Sequence, residues 1–235
     1  MASLGYDFVT DMMVLEFELD PGLISAERYA NPWISMAAQS LAEAIRLAAS
    51  KELDIEFTEL VTGYRFRTNE QGAFIDVYLY DSLSSGAGYS DAVSRDIEKL
   101  LTSVNNVLVQ CDCESSCYKC LKHYRNQMVH GLLNRKAASQ LLEWGRTGKI
   151  ADALSFEEQK TLIQPLKSIL EYSECELAFD NGTIIVTNNE KKKKIVVYPA
   201  MWVEPEAKDT IFISDYFARY AKPYALKKIV DLMNK

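Results

Sequence analysis

Four cysteines fall within ten residues, Cys111, Cys113, Cys117 and Cys120, in the pattern C-x-C-x3-C-x2-C. Four thiolates around one point make a tetrahedral zinc site. If Cys111 and Cys113 lie on extended chain, residues two apart present their sulfurs to one side. If Cys117 and Cys120 open a helix, a spacing of three puts the second pair on a shared face as well. The spacing therefore predicts a four-cysteine zinc knuckle with every ligand position filled by protein, which is a structural site and not a catalytic one. A zinc ion held by four thiolates carries two net negative charges, and helix-start amides with Lys119, Lys122 and Arg125 are the candidates to offset them. An iron–sulfur cluster also takes four cysteines. Disulfides between such near neighbours would close strained small loops, and nothing in the sequence marks secretion.

Other residues carry weaker signals. Lys119, Lys122, Arg125, Arg135 and Lys136 form a local basic cluster beside the knuckle, a candidate for phosphate contacts or for compensating the thiolates. Asp81 precedes Ser85-Gly86-Ala87-Gly88-Tyr89, which reads either as a tight strand-to-helix turn or as amides that hold an anion. Gly145-Arg146-Thr147-Gly148-Lys149 is no phosphate loop, because Glu143 stands where the first glycine belongs and Ile150 follows the lysine. His123 and His130 are the only histidines, expected on a partly buried helix since the cysteines complete the site; Cys175 is expected in the core. Lys191 to Lys194 read as a basic hairpin tip. No nucleophile elbow, H-E-x-x-H pair or ATP site is present, so the chain reads as non-catalytic on its own.

The elements that must position these groups follow from periodicity. Val14 to Leu19 alternates as a half-buried strand, and Asn31-Pro32 opens a helix running to about Glu52 with Ser40, Glu43 and Arg46 facing outward. Ile55–Arg67 and Ala73–Tyr80 form a hairpin, and one helix from Tyr89 to Leu108 delivers the chain to the cysteines. Beyond Cys120 the pattern is helical through Gln127, and Asn134 caps a further helix. A capping box at Ser155-Phe156-Glu157-Glu158 opens a helix toward Tyr172 with Pro165 as a kink, followed by short strands around Asp180-Asn181-Gly182. The expected fold is α+β: a small antiparallel or mixed sheet packed with helices over residues 1–150, and a small C-terminal α+β appendage over residues 151–235. Among 235 residues, 48% hydrophobic content allows a sizeable core, and a net charge of −7 excludes a broad positive field, so any nucleic-acid contact must be local. No apolar run is long enough to cross a membrane, and clustered cysteines fit a reducing cytoplasm. Met-Ala-Ser runs almost directly into an apolar strand, a start that fits a piece cut from something longer and a whole chain equally.

The order of features resembles the MrfA-type zinc-binding domain family. It comprises a Gly5-Tyr6-Asp7-Phe8-Val9-Thr10-Asp11 strand, Tyr80-Asp81 leading into Ser85-Gly86-Ala87-Gly88-Tyr89, the four cysteines, and then Leu121, Tyr124, Asn126 and Leu133-Asn134-Arg135 with Ala138. That family sits at the C-terminal end of superfamily-two DNA helicases, or on companion proteins, in DNA repair and in anti-phage defence systems such as DISARM and Druantia. The likeness spans roughly residues 4–145 and implies a structural Zn2+ on Cys111, Cys113, Cys117 and Cys120, with a helicase motor domain or subunit as partner. Two positions depart: a glycine pair is usual where Ser85-Gly86 stands, and an aspartate where Asn134 precedes Arg135. A scaffold that docks defence proteins without touching DNA is the alternative function, and a small metal-dependent hydrolase a third.

Overall fold

In the computed structural model, residues 8–26, 32–189 and 191–234 are described. The expected Gly5–Asp7 part of the opening strand and the Asn31 cap lie outside them. The contacts divide the chain into two compact units, one of Met1–Pro21 with Trp33–Lys149 and one of Gly22–Pro32 with Ile150–Lys235.

The first unit is built on a three-stranded antiparallel sheet in the order β1–β3–β2, with β1 Met12–Leu19, β2 Leu60–Asn69 and β3 Gly72–Asp81. Phe8 to Asp11 are not strand, a correction to the expected opening: Thr10 Oγ1 instead donates to the Asp81 carbonyl at 2.9 Å. Pairing of Met13 with Leu79, Leu15 with Val77 and Phe17 with Ile75 puts one apolar face inward, as period-two alternation requires. The β2–β3 turn is closed by Asn69 Oδ1, which accepts from the Gln71 and Gly72 amides at 2.9 and 3.1 Å.

Against the sheet lies α1, Trp33–Leu53, which also packs on α3, Ile97–Val109, and α4, Arg135–Thr147. Because α1 has neighbours on so much of its surface, its polar residues do not face outward as the amphipathic pattern predicts. Ser40 and Glu43 are buried, and the Arg46 side chain nearly so. Each finds a partner inside: Ser40 Oγ accepts from the Asn134 amide at 2.6 Å, and Arg46 Nη2 donates to Glu43 Oε2 at 2.6 Å, while Arg46 Nε is left without one.

The single helix expected after Tyr89 is two, α2 Tyr89–Ser94 and α3, because Asp96 caps the second through the Lys99 amide. Before β2, Phe57–Glu59 form a 3-10 turn where continuous strand was expected. Asn134 does cap α4, accepting from the Lys136 and Ala137 amides, and Gly148 ends it in the left-handed region.

The second unit has a four-stranded mixed sheet: β4 Glu176–Asp180, β5 Thr183–Asn188, β6 Lys191–Tyr198 and β7 Thr210–Ser214. The first three are antiparallel neighbours and β7 runs parallel to β6. The lysine run is not a hairpin tip. It is the first half of β6, paired through Lys191–Asn188 to Lys194–Ile185, and the turn falls at Asn189 with φ +51°. Ladder hydrogen bonds outweigh the poor strand preference of lysine. Helices α5 Phe156–Ile163, α6 Lys167–Glu171, α7 Asp215–Tyr220 and α8 Lys222–Asn234 complete the unit, whose own apolar core includes Ile163, Cys175, Val186, Val197 and Ile229. The described residues are thus of the α+β class, with two small sheets and two cores.

Candidate metal centre

The α3 helix ends at Val109, and the chain continues without regular structure through Cys111 and Cys113. Cys117 to Leu121 form a turn and not a helix start: the Cys120 and Lys122 amides donate to the Cys117 carbonyl at 3.1 and 3.0 Å. A turn converges the second pair as well as a helix would, since it returns the chain within four residues.

The four sulfurs lie within 4.8 Å of one another. Cys111 to Cys117 is 3.5 Å, Cys113 to Cys120 is 3.7 Å and Cys117 to Cys120 is 3.9 Å. Tetrahedral Zn–S bonds of about 2.3 Å set sulfurs about 3.8 Å apart, so the donor set has the size for one ion. A disulfide needs about 2.05 Å and is not formed. An iron–sulfur cluster, with several irons and sulfides between the cysteines, would hold the thiolates much farther apart.

Charge compensation comes from turn amides rather than from a helix start. The Cys117 amide donates to Cys120 Sγ at 3.1 Å and the Lys119 amide to Cys117 Sγ at 3.4 Å. The Lys119 amide, helped by neighbouring thiols, lowers the Cys117 thiol to about 7, whereas burial and the Cys111 and Cys120 sulfurs push Cys113 up to about 12. Burial also raises Cys120, against the Cys117 amide. A metal ion must therefore displace protons held by this crowded thiol set, and its binding free energy becomes folding free energy. The thiols line one side of an open cavity of about 700 Å3, with Leu47 and Lys51 of α1 and Val107 of α3 on the others.

Of the basic cluster, Arg135 is turned into the knuckle: its Nε donates to the Cys113 carbonyl at 2.9 Å and its Nη1 to the Leu108 carbonyl at 3.1 Å. It ties the end of α3 and the second ligand to α4. Lys119, Arg125 and Lys136 are exposed and Lys122 is half-buried. Arg125 lies over the Phe57 ring at 6.0 Å.

Residues that periodicity does not single out support the far side. Arg46 Nη2 donates to His123 Nε2 at 2.7 Å, and Phe57 packs against the His123 ring at 4.9 Å between centroids. Arginine can only donate, so that ring nitrogen accepts. Asn126, buried, accepts at Oδ1 from the His123 amide at 2.9 Å and from His130 Nε2 at 2.8 Å, and donates to the Leu121 carbonyl at 2.9 Å. Both histidines thus belong to the scaffold around Tyr124–Leu132, a 3-10 segment where α-helix was expected. Only the motif order Leu121, Tyr124, Asn126 signalled this brace; Glu43 and Arg46 gave no signal.

Asp81 resolves the reading of the glycine loop. Its carboxylate accepts from the Ala87, Tyr89 and Ser90 amides at 2.7, 3.0 and 2.8 Å, which consumes the donors an anion would need. Burial pushes the carboxyl up, but those amides together bring it below the ordinary range. Gly86, at φ +74°, leaves no room for a β-carbon against the Asp11 side chain.

A small α+β unit closed by a four-thiol knuckle defines a structural-zinc domain. Residues 41–121 match the family model of the MrfA Zn-binding domain, and the four clustered thiols fit a structural Zn2+ as cofactor. Among curated proteins the chain is similar to the Druantia protein DruE of Escherichia coli (strain UMEA 4076-1), at 30% identity over 249 residues covering 98% of this chain. The chain spans 14% of the length of that relative. Among solved structures it is similar to the DUF1998 helicase MrfA bound to DNA, at 13% identity over 51% of this chain and 15% of that chain, with a TM-score of 0.40. No helix among the described residues is long and apolar enough to cross a membrane.

Proposed function

We propose that this chain is a non-catalytic accessory domain of, or partner to, an ATP-dependent DNA helicase in anti-phage defence or DNA repair, working in the cytoplasm. In this reading residues 1–150 are the zinc-binding domain and residues 151–235 a smaller subdomain. Cys111, Cys113, Cys117 and Cys120 hold the ion, whose contribution is structural: a saturated centre that pins the knuckle between α3 and α4. Lys119, Lys122, Arg125 and Lys136 supply local phosphate contacts, Arg135 keeps the knuckle in place, and ATP hydrolysis happens elsewhere. The observation that carries the reading is the single-ion spacing of four thiols inside a matched MrfA Zn-binding domain, with a Druantia protein as relative over almost the whole chain.

Two measurements test it. Elemental analysis is expected to give one zinc per chain, lost together with the fold of the first unit in Cys117→Ser; a folded, metal-free variant refutes the structural role. Titration of DNA at low salt is expected to show binding that falls steeply as salt rises and is lost when Lys119, Lys122 and Arg125 become alanine. Absence of any binding favours the second reading, a scaffold that docks a motor subunit or defence protein. That reading draws on the outer face of the first sheet, where Met12 and Val14 stand 55% and 51% exposed beside an Arg65–Asp76–Arg67–Glu16 ion network.

A further inference from the structure

The surface beside the knuckle combines exposed rings with unpaired cations. Tyr118 is 70% exposed and Tyr124 is 82% exposed, whereas Phe17, Trp33 and Phe74 of the same unit are buried. Neither ring is loosely hung. Tyr118 sits in the knuckle turn between two ligand cysteines and packs edge-on against the His130 ring at 5.6 Å. His130 Nε2 donates to the His123 carbonyl at 3.1 Å and to Asn126 Oδ1, which fixes the residues on either side of Tyr124. His130 thus links the two segments: its ring packs on Tyr118 in the turn that carries the thiol cluster, and its Nε2 bonds the His123 carbonyl next to Tyr124 and the Asn126 clamp.

Around them the charge is positive within a chain that is acidic overall. From Cys111 to Lys136 the sequence has Lys119, Lys122, Arg125, Arg135 and Lys136 against Asp112 and Glu114 as its only carboxylates. With Arg135 spent on the knuckle, Lys119, Lys122 and Arg125 remain, and none of them makes an ion pair among the described residues. A ring face paired with cations at residue spacing is the chemistry that engages a base and its phosphate together. In a duplex the base faces are already covered by their neighbours, so such rings have a partner only where the strand is unpaired.

We propose that Tyr118 and Tyr124 form a stacking platform for unpaired bases, flanked by Lys119, Lys122 and Arg125 on the backbone, making this surface selective for single-stranded DNA. The inference rests on the reading that the domain contacts DNA and specifies the form of DNA it takes. A saturated zinc knuckle then acts as the rigid mount of the platform: ordering the rings in advance removes an entropic cost that a flexible loop would bear on binding.

The experiment uses the whole zinc-loaded chain and fluorescence anisotropy with three probes of equal length: an oligothymidylate, a duplex, and an abasic phosphodiester of the same charge. The single strand is expected to bind more tightly than either of the others. Tyr124→Ala should weaken the single strand about tenfold, the double variant with Tyr118→Ala more, and Tyr124→Phe, which keeps the ring, little. Replacing Lys119, Lys122 and Arg125 together should weaken all three probes and flatten the dependence of log affinity on log salt by about 2 for the single strand. Zinc content of each variant checks the mount; should Tyr118→Ala shed metal, Tyr124→Ala decides. If the abasic backbone binds as well as the oligothymidylate, or the tyrosine variants bind unchanged, the platform is overturned while DNA contact stands, and the rings belong to a protein contact. If no probe binds at low salt, DNA contact itself falls and the platform with it.

Discussion

At the residue scale, Asp81 shows how a functional-looking motif can be structural. A carboxylate that is fully buried survives only because three amides point at it, and their combined effect outweighs the burial penalty. Removing it leaves three donors unsatisfied, so Asp81→Ala is expected to destabilise the first unit by about 3 kcal/mol in urea unfolding. The pH dependence has a definite sign. A carboxyl held below its ordinary value contributes stability that is present above about pH 4 and is lost as pH falls from there through the lower folded value. Asp81→Asn should flatten that acid limb; an unchanged limb would show that other carboxylates carry it. The type of residue and its place before the glycines were legible in the sequence. Whether the loop amides were free or spent was not, because that depends on where the carboxylate folds back.

At the element scale, α4 works as the bracket between sheet and knuckle. It is anchored by Asn134 at its start and by Trp144 Nε1 donating to the Glu18 carbonyl at 2.7 Å, and it lies so close to β1 that a β-carbon at Gly145 would run into the Phe17 ring. Alanine is favoured over glycine inside a helix by about 1 kcal/mol. Overpacking a filled core costs about 1–3 kcal/mol, and Phe17 is buried with nowhere to retreat. Gly145→Ala is therefore expected to lower the thermal midpoint, and a raised midpoint would mean that the helix and strand can separate at little cost. The capping signals at Asn134 and Ser155 predict helices that form, since they act within one turn. The outward placing of Ser40, Glu43 and Arg46 fails for the opposite reason. Helical period tells which residues share a face but not how many neighbours the helix has, and α1 is covered by the sheet, α3 and α4.

At the scale of the whole molecule, two cores stand in one chain, and only one of them includes a metal centre among the described residues. Structural zinc contributes an apparent stabilisation of about 10–16 kcal/mol, comparable with the whole stability of a domain. Chelation is therefore expected to abolish the unfolding transition of the first unit and leave that of the second, seen by calorimetry as one surviving transition; a profile indifferent to chelator counts against the structural role. By itself the sequence determined which four cysteines cluster, the α+β class and the position of most elements, because these rest on spacing and on contacts within a few residues. The tertiary structure alone decided that Arg135 faces the knuckle, that the lysine run is strand, and that Glu43, Arg46 and His123 form a buried brace. Those outcomes depend on partners 22 to 77 residues away for the two clusters, Cys113 for Arg135 and Arg46 for His123, and on ladder neighbours for the lysines. Local periodicity carries no information about such partners, since the same pattern of polar and apolar residues is compatible with a solvated face or with a paired, buried one.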